Sequence, residues 1–291
     1  MTAYFNYYIV RITTIKEVFE MSNIVFDLHT HHDRCGHAVG KLEEYIESAI
    51  DKGLHYIGIS DHSPLFFHEE DRPFPRFSMA KSEFQAYVDH VLRLKEQYMD
   101  KIHVLLGVES DYYPHHLHLY KKEYDKSPFD YIIGSVHYVN GKSIFDKNRW
   151  IGLTEEQKVK EKEDYYRLIQ DSAKSGVFQV LGHIDAMKGY YPEFSLIQTP
   201  IIDETLQVIS EAGVAIEVNT SGKTKDVGGW YPSYEILERA LFYGVDISYG
   251  SDAHLPERVG DDYLLVQAKL KEIGFKEMVF YVGKRKQIVT L

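Results

Sequence analysis

The chain has 291 residues, of which 44% are apolar and 26% charged, enough to bury one large core and without the bias of a disordered chain. Its formal net charge of −11 at pH 7 argues against binding along a nucleic-acid backbone, which takes clustered Lys and Arg, but admits small anions where a metal supplies positive charge. The single cysteine, Cys35, excludes an internal disulfide and fits a reducing, cytoplasmic setting, and no apolar run approaches the roughly 18 residues that cross a bilayer.

Residues 1–20 hold a short apolar stretch with no small-residue cleavage pattern, so they read as an appendage to the fold and not as a signal peptide. Met21 follows, and the patterned sequence begins just after it. Short runs dense in apolar residues recur at 23–29, 56–60, 102–109, 130–136, 178–183, 214–219 and 245–251, the pattern of strands buried on both faces. Helix patterns lie between them. Over 78–98, Phe84, Tyr87, Val88, Val91 and Tyr98 fall at helical spacing. Thr154 and Gln157 have the spacing of a capping box, and Thr199-Pro200 reads as an N-cap followed by proline at the first helical position. A last helix is expected over 262–274. These strand–helix units, with no internal repeat or linker, predict one α/β domain over 21–291, a parallel (β/α)7 barrel related to the TIM barrel.

The strand ends carry the chemistry. The first strand runs out into His29 and His31, with His37 soon after; the second ends in Asp61-His62 and the third in Glu109. The fourth ends in His137, the fifth in His183 and the seventh in Asp252-Ala253-His254. In a parallel barrel these C-terminal ends share one face, where the active site lies. Each motif alone has an ordinary explanation, such as a loop histidine, a helix cap or a hydrogen-bonded core residue. Their joint placement at strand ends does not. Imidazole and carboxylate are ligands of zinc, iron and manganese. His29, His31, His37, His62, Glu109, His137, His183, Asp252 and His254 are too many for one tetrahedral ion and suit two or three. Cys35 sits among them as a spectator thiol. Most of His32, His68, His90, His103, His115, His116 and His118 are expected to face solvent.

The stretches DLHTHH…CGH, ISDH, GVESDYY, GSVHY, LGHID and YGSDAH resemble, in order, the motifs of the polymerase-and-histidinol-phosphatase (PHP) family, and most closely its stand-alone histidinol-phosphate phosphatases. The resemblance covers about residues 23–260 and implies a distorted seven-stranded barrel holding three divalent ions, zinc first, with manganese or iron as alternatives. Carried onto this chain, it gives His29, His31, Glu109 and Asp252 to the first ion. Glu109, as a bridge, goes with His137 and His183 to the second, and His37, His62 and His254 go to the third. Every ligand position is filled. The departures are the N-terminal extension and the loops after the second and fourth strands, which bear on substrate choice.

The implied activity is hydrolysis of L-histidinol phosphate to L-histidinol and phosphate, in histidine biosynthesis. A hydroxide bridging the first two ions, held by Glu109 and Asp252, is expected to attack phosphorus, while the third ion, with His254, helps neutralise the departing alkoxide. Lys188, Lys223 and Arg258 follow the ligand strands and are candidates to clamp the phosphate. Tyr112, with Tyr113 and Tyr138, is a candidate to flank an imidazole. The expected partner is a small-molecule phosphate ester, with no nucleic acid and no membrane. Oligomeric state is not legible. The competing possibilities are another phosphoesterase of the family acting on nucleotide or sugar phosphates, an amidohydrolase, and a non-catalytic metal-binding module. An amidohydrolase usually needs a carbamylated lysine where this chain has Glu109, and has no use for the histidine of SDAH.

Overall fold

The computed structural model describes residues 25–291, so the expected extension at 1–20 and the start of the expected strand at 23–29 lie outside the described residues. The first half runs β1 (Phe26–Asp27), α1 (Leu42–Asp51), β2 (Tyr56–Ile59), α2 (Phe84–Gln97), β3 (His103–Leu106), β4 (Glu109–Asp111), α3 (Leu117–Tyr124), β5 (Ile133–Ser135), β6 (Tyr138–Val139) and β7 (Lys142–Ser143). The second half runs α4 (Glu155–Lys174), β8 (Val180–Leu181), α5 (Ile201–Ala212), β9 (Ala215–Asn219), α6 (Tyr234–Tyr243), β10 (Ile247–Gly250), α7 (Tyr263–Ile273), β11 (Glu277–Val282) and β12 (Arg285–Thr290).

The fold is α/β with parallel sheets. One sheet has the order β1-β2-β3 and the other β10-β9-β8-β5-β4, every pair parallel. Isolated parallel bridges, Thr30 with Ala253 and His62 with Glu109, run from one sheet to the other. The strand expected at 102–109 divides at Gly107, where the chain leaves β2 as its partner and takes β5. Tyr131 shapes this region. Its ring is fully buried and its hydroxyl donates to the Leu28 carbonyl. A Cβ at Gly58 would fall 2.0 Å from its Oη, and one at Gly107 would fall 2.3 Å from its Cζ. Both strands therefore need glycine where the ring passes.

The helices follow their apolar spacing. Phe84, Tyr87, Val88, Val91 and Tyr98 are all buried, the first four on α2 and Tyr98 at its end. Thr154 and Gln157 close the expected reciprocal cap at the start of α4. The start of α5 follows the expected cap. The helical bonding starts at Ile201, but Pro200 already has helical dihedrals and the Thr199 hydroxyl accepts from the Ile201 N–H, as the expected N-cap does. The β6–β7 and β11–β12 hairpins were not expected. The second packs its apolar face inward, stacking Phe280 on Phe26 at 5.2 Å. Buried Asp130 ties it down by accepting from Gly283 and Leu106 N–H groups. Among the described residues no helix is long and apolar enough to cross a membrane.

Candidate metal centre

The bridge between Thr30 and Ala253 joins the segments that follow β1 and β10. His31 N–H donates to the Ala253 carbonyl at 2.9 Å and Ala253 N–H to the His29 carbonyl at 3.2 Å. His29 and His31 are thereby set beside Asp252 and His254. The second bridge does the same for His62 and Glu109, with Ser63 N–H donating to the Glu109 carbonyl at 2.9 Å. At His183 and Asp252 the backbone is left-handed, with φ of 29° and 52°. Non-glycine residues in that region are uncommon and concentrate at functional sites.

All nine candidate ligands come together. His29, His31 and Asp252 form one group of potential ligands, His62, Glu109 and His137 a second, and His31, His62 and His254 a third. Glu109 reaches both ways. Its Oε2 lies 2.8 Å from His62 Nδ1, 3.4 Å from His29 Nε2 and 3.6 Å from His31 Nε2, while its Oε1 lies 3.0 Å from His183 Nε2 and 3.6 Å from His137 Nε2. His37 joins at the rim, its Nε2 2.9 Å from that of His254. The fit to divalent ions shows in the atoms left over. His29 Nε2, His31 Nε2 and Glu109 Oε2 are buried and meet no hydrogen-bond geometry, facing their neighbours only as charge pairs, which suits atoms aimed at a shared ion. These clusters can hold metal ions.

The electrostatics agree. Burial opposes charge on His29, but Glu217, Asp252 and Glu109 around it prevail and hold its pKa well above the ordinary value. Burial likewise opposes charge on His31 and His137, yet contacts with Asp252 and Asp61 raise the first to about 9 and Asp111 and Glu109 raise the second to about 9. Burial should raise Glu109 and Asp252, but the surrounding imidazoles, led by His62 and His29 respectively, hold both well below the carboxylate range. The rim differs. Burial and neighbouring imidazoles push His37 down to about 4 and His254 down to about 3. Cys35 is buried, donates its thiol to the His32 carbonyl and has its pKa pushed up by burial and Asp61, which keeps it a thiol.

The cluster forms the floor of a cavity of about 500 Å³. Of the four residues expected to bind substrate, Arg258 lines it, although its guanidinium is held by Asp261 at 2.7 Å. The other three are not brought to it. Lys188 is buried and turned onto Asp185 at 2.7 Å, because a buried ammonium needs a counter-ion. Lys223 is engaged by Asp261 and Asp262, and Tyr112 packs edge-on to Phe178. Arg76 and Lys225 line the wall instead, with no ion-pair partner among the described residues, beside Phe77, Phe145 and Tyr190.

A PHP domain model matches residues 27–221. The chain belongs to the PHP family. Among its relatives, a protein of Deinococcus radiodurans named "Probable histidinol-phosphatase" is 30% identical over 87% of this chain and 95% of its own length. The histidinol-phosphatase of Bacillus subtilis is 28% identical over 81% and 96%. A solved histidinol phosphate phosphatase of Lactococcus lactis, complexed with zinc, L-histidinol and phosphate, superposes with a TM-score of 0.77 at 21% identity, over 91% of this chain and all of that one. The matched PHP span stops short of Asp252 and His254, which the bridge to Ala253 returns to the cluster.

Some residues around this PHP centre escaped the sequence reading. Asp111 takes His137 Nδ1 at 2.9 Å, and Asp61 takes His31 Nδ1 at 3.3 Å. Asp61 was named at the end of the second strand and Asp111 stood beside Glu109, but no spacing told which imidazole they hold. Ser221 and Asn219 donate to Asp252 Oδ2, leaving Oδ1 turned toward His31 at 3.0 Å. Glu217 lies fully buried on β9, where a lone acid in the apolar run VAIEVN was the available signal. His32, expected with the solvent-facing histidines, is buried against Tyr87 at 5.6 Å.

Proposed function

We propose that this PHP protein is a metal-dependent phosphatase that hydrolyses L-histidinol phosphate to L-histidinol and phosphate, in the cytoplasm, within a single barrel-like domain over 21–291. The observation that carries the reading is the histidine and carboxylate cluster with unpartnered inward atoms at the floor of an open cavity. The named activity of relatives that align along most of the chain supports the substrate. The reading assigns three divalent ions to this cluster, with His29, His31, Glu109 and Asp252 on the first, Glu109, His137 and His183 on the second, and His37, His62 and His254 on the third; overlapping triads such as His29, His31 and Asp252, or His62, Glu109 and His137, lie close enough to share an ion and support it.

Bound ions of this kind supply Lewis-acid charge to phosphoryl oxygens and lower the pKa of water to about 7. The chain's own residues do the rest. Ser221 and Asn219 fix one oxygen of Asp252 so that the other faces His31, and Ser135 does the same for Oε1 of Glu109 at 2.7 Å. Arg76 and Lys225 on the wall attract a phosphate dianion despite the acidic surface. Phe77, Phe145 and Tyr190 offer flat apolar faces to an imidazole.

A phosphate-release screen over amino-alcohol, nucleotide and sugar phosphates should give L-histidinol phosphate the highest kcat/KM, by at least about tenfold. A nucleotide or sugar phosphate ranking above it would overturn the substrate and spare the metal centre. No turnover of any ester would favour a metal-binding module. Residues 1–20 precede every candidate ligand, so a chain starting at Met21 is expected to keep full metal content and turnover. A severalfold loss of kcat in that shortened chain would show that the extension belongs to the working enzyme.

A further inference from the structure

Strand β9 supplies none of the candidate ligands, yet its Glu217 sits wholly buried among them. Oε1 lies 2.7 Å from Nδ1 of His29. Oε2 accepts from the backbone N–H of His183 at 3.2 Å and from Asn219 Nδ2 at 2.9 Å. Asn219 Nδ2 also reaches Asp252 Oδ2 at 3.3 Å. The neighbouring strand makes room for this carboxylate: a Cβ at Gly250 would fall 2.0 Å from Glu217 Oε1 and 2.4 Å from His29 Cβ. No side chain other than hydrogen fits there.

A carboxylate only accepts, so His29 must donate from Nδ1, and the lone pair of its neutral ring is then on Nε2. That Nε2 is buried without a hydrogen bond inside the cluster. The same carboxylate holds the N–H of His183, whose backbone is left-handed, and shares Asn219 with Asp252. Asp111 holds one ligand imidazole, and Asp61 holds the His31 imidazole and the His62 N–H. Glu217 adds, through Asn219, a carboxylate ligand. We infer that Glu217 is a positioning residue of the centre, fixing His29, His183 and Asp252 together and so coupling two adjoining metal groups through one buried carboxylate. This rests on the metal reading proposed above, in which His29 and Asp252 serve one ion and His183 another.

Partners of this sort commonly change metal affinity by ten- to a hundredfold when removed. In the full chain, Glu217→Gln should bind zinc about 10- to 100-fold more weakly than wild type in chelator competition, with unchanged circular dichroism. Asp130→Asn is the control. Asp130 is likewise a buried carboxylate, which accepts from Leu106, Gly283 and Lys95 and touches no candidate ligand, so its loss should lower Tm and leave zinc affinity as in wild type. Wild-type zinc affinity in Glu217→Gln, or an equal weakening in Asp130→Asn, overturns the positioning role. Should Glu217→Gln not fold, Glu217→Asp carries the test: it keeps the charge but withdraws it by one methylene, so weakening is expected and unchanged affinity overturns the role. A wild-type chain that takes up no zinc in the same assay removes the metal reading itself.

Discussion

Replacing Glu109 with alanine removes close to two divalent ions per chain and lowers kcat on the order of a thousandfold or more, whereas His37→Ala removes about one. The difference follows from reach. Glu109 Oε2 faces His62, His29 and His31, and Oε1 faces His183 and His137, so in the proposed arrangement its two oxygens would serve the first and second ions. His37 touches the centre from the rim, beside His254, and in the proposed arrangement would be a neutral ligand to one ion. Removing Glu109 also leaves several buried imidazoles without their counter-charge, which costs stability of about 3–5 kcal/mol. Glu109→Gln, which keeps the volume, serves as the folded comparison and should show the same pattern of metal loss. Elemental analysis of folded protein decides the matter: a loss of one ion in both Glu109→Ala and His37→Ala would reject the bridge and the three-ion arrangement built on it.

Stripping the metals with a chelator abolishes turnover, and their return releases protons. Without ions, the inner imidazoles balance the carboxylates as cations, with His31 and His137 raised to about 9 and His29 raised well above its ordinary value. A ligand imidazole must be neutral, so each raised histidine gives up its proton when an ion binds. At pH 8 the uptake of zinc should release on the order of two to three protons per chain. The sign follows from the raised values. Protons compete for the ligands at lower pH, so apparent affinity weakens as pH falls from about 9, and proton release fades as pH rises beyond it. Calorimetric titration in two buffers of different ionisation enthalpy reads the count directly. Identical heats in both buffers would contradict a centre whose apo state is held together by imidazolium–carboxylate pairs.

The sequence by itself determined the class of fold, the chemistry of the candidate ligands and the strand ends on which they lie. It could do so because parallel α/β strands place their C-terminal ends on one face, so His29, Glu109, His183 and Asp252 could be grouped without coordinates. The family followed from the same motifs. The tertiary structure decided what depends on direction and on pairing. Lys223 stands after a ligand strand as well as any cation does, but Asp261 and Asp262 claim it from a distant part of the chain, and no local pattern encodes such a counter-ion. Lys188 has its partner Asp185 only three residues away, but the burial that holds the two together comes from packing. Arg76 and Lys225 reach the wall from loops whose course only packing sets. The division of the third expected strand at Gly107 comes from the ring of Tyr131 passing between strands. Glu217 is the clearest case. A buried acid in a strand is visible in sequence, but its meaning lies in a histidine 188 positions away, and a hydrogen bond between such distant residues exists only once the chain has folded.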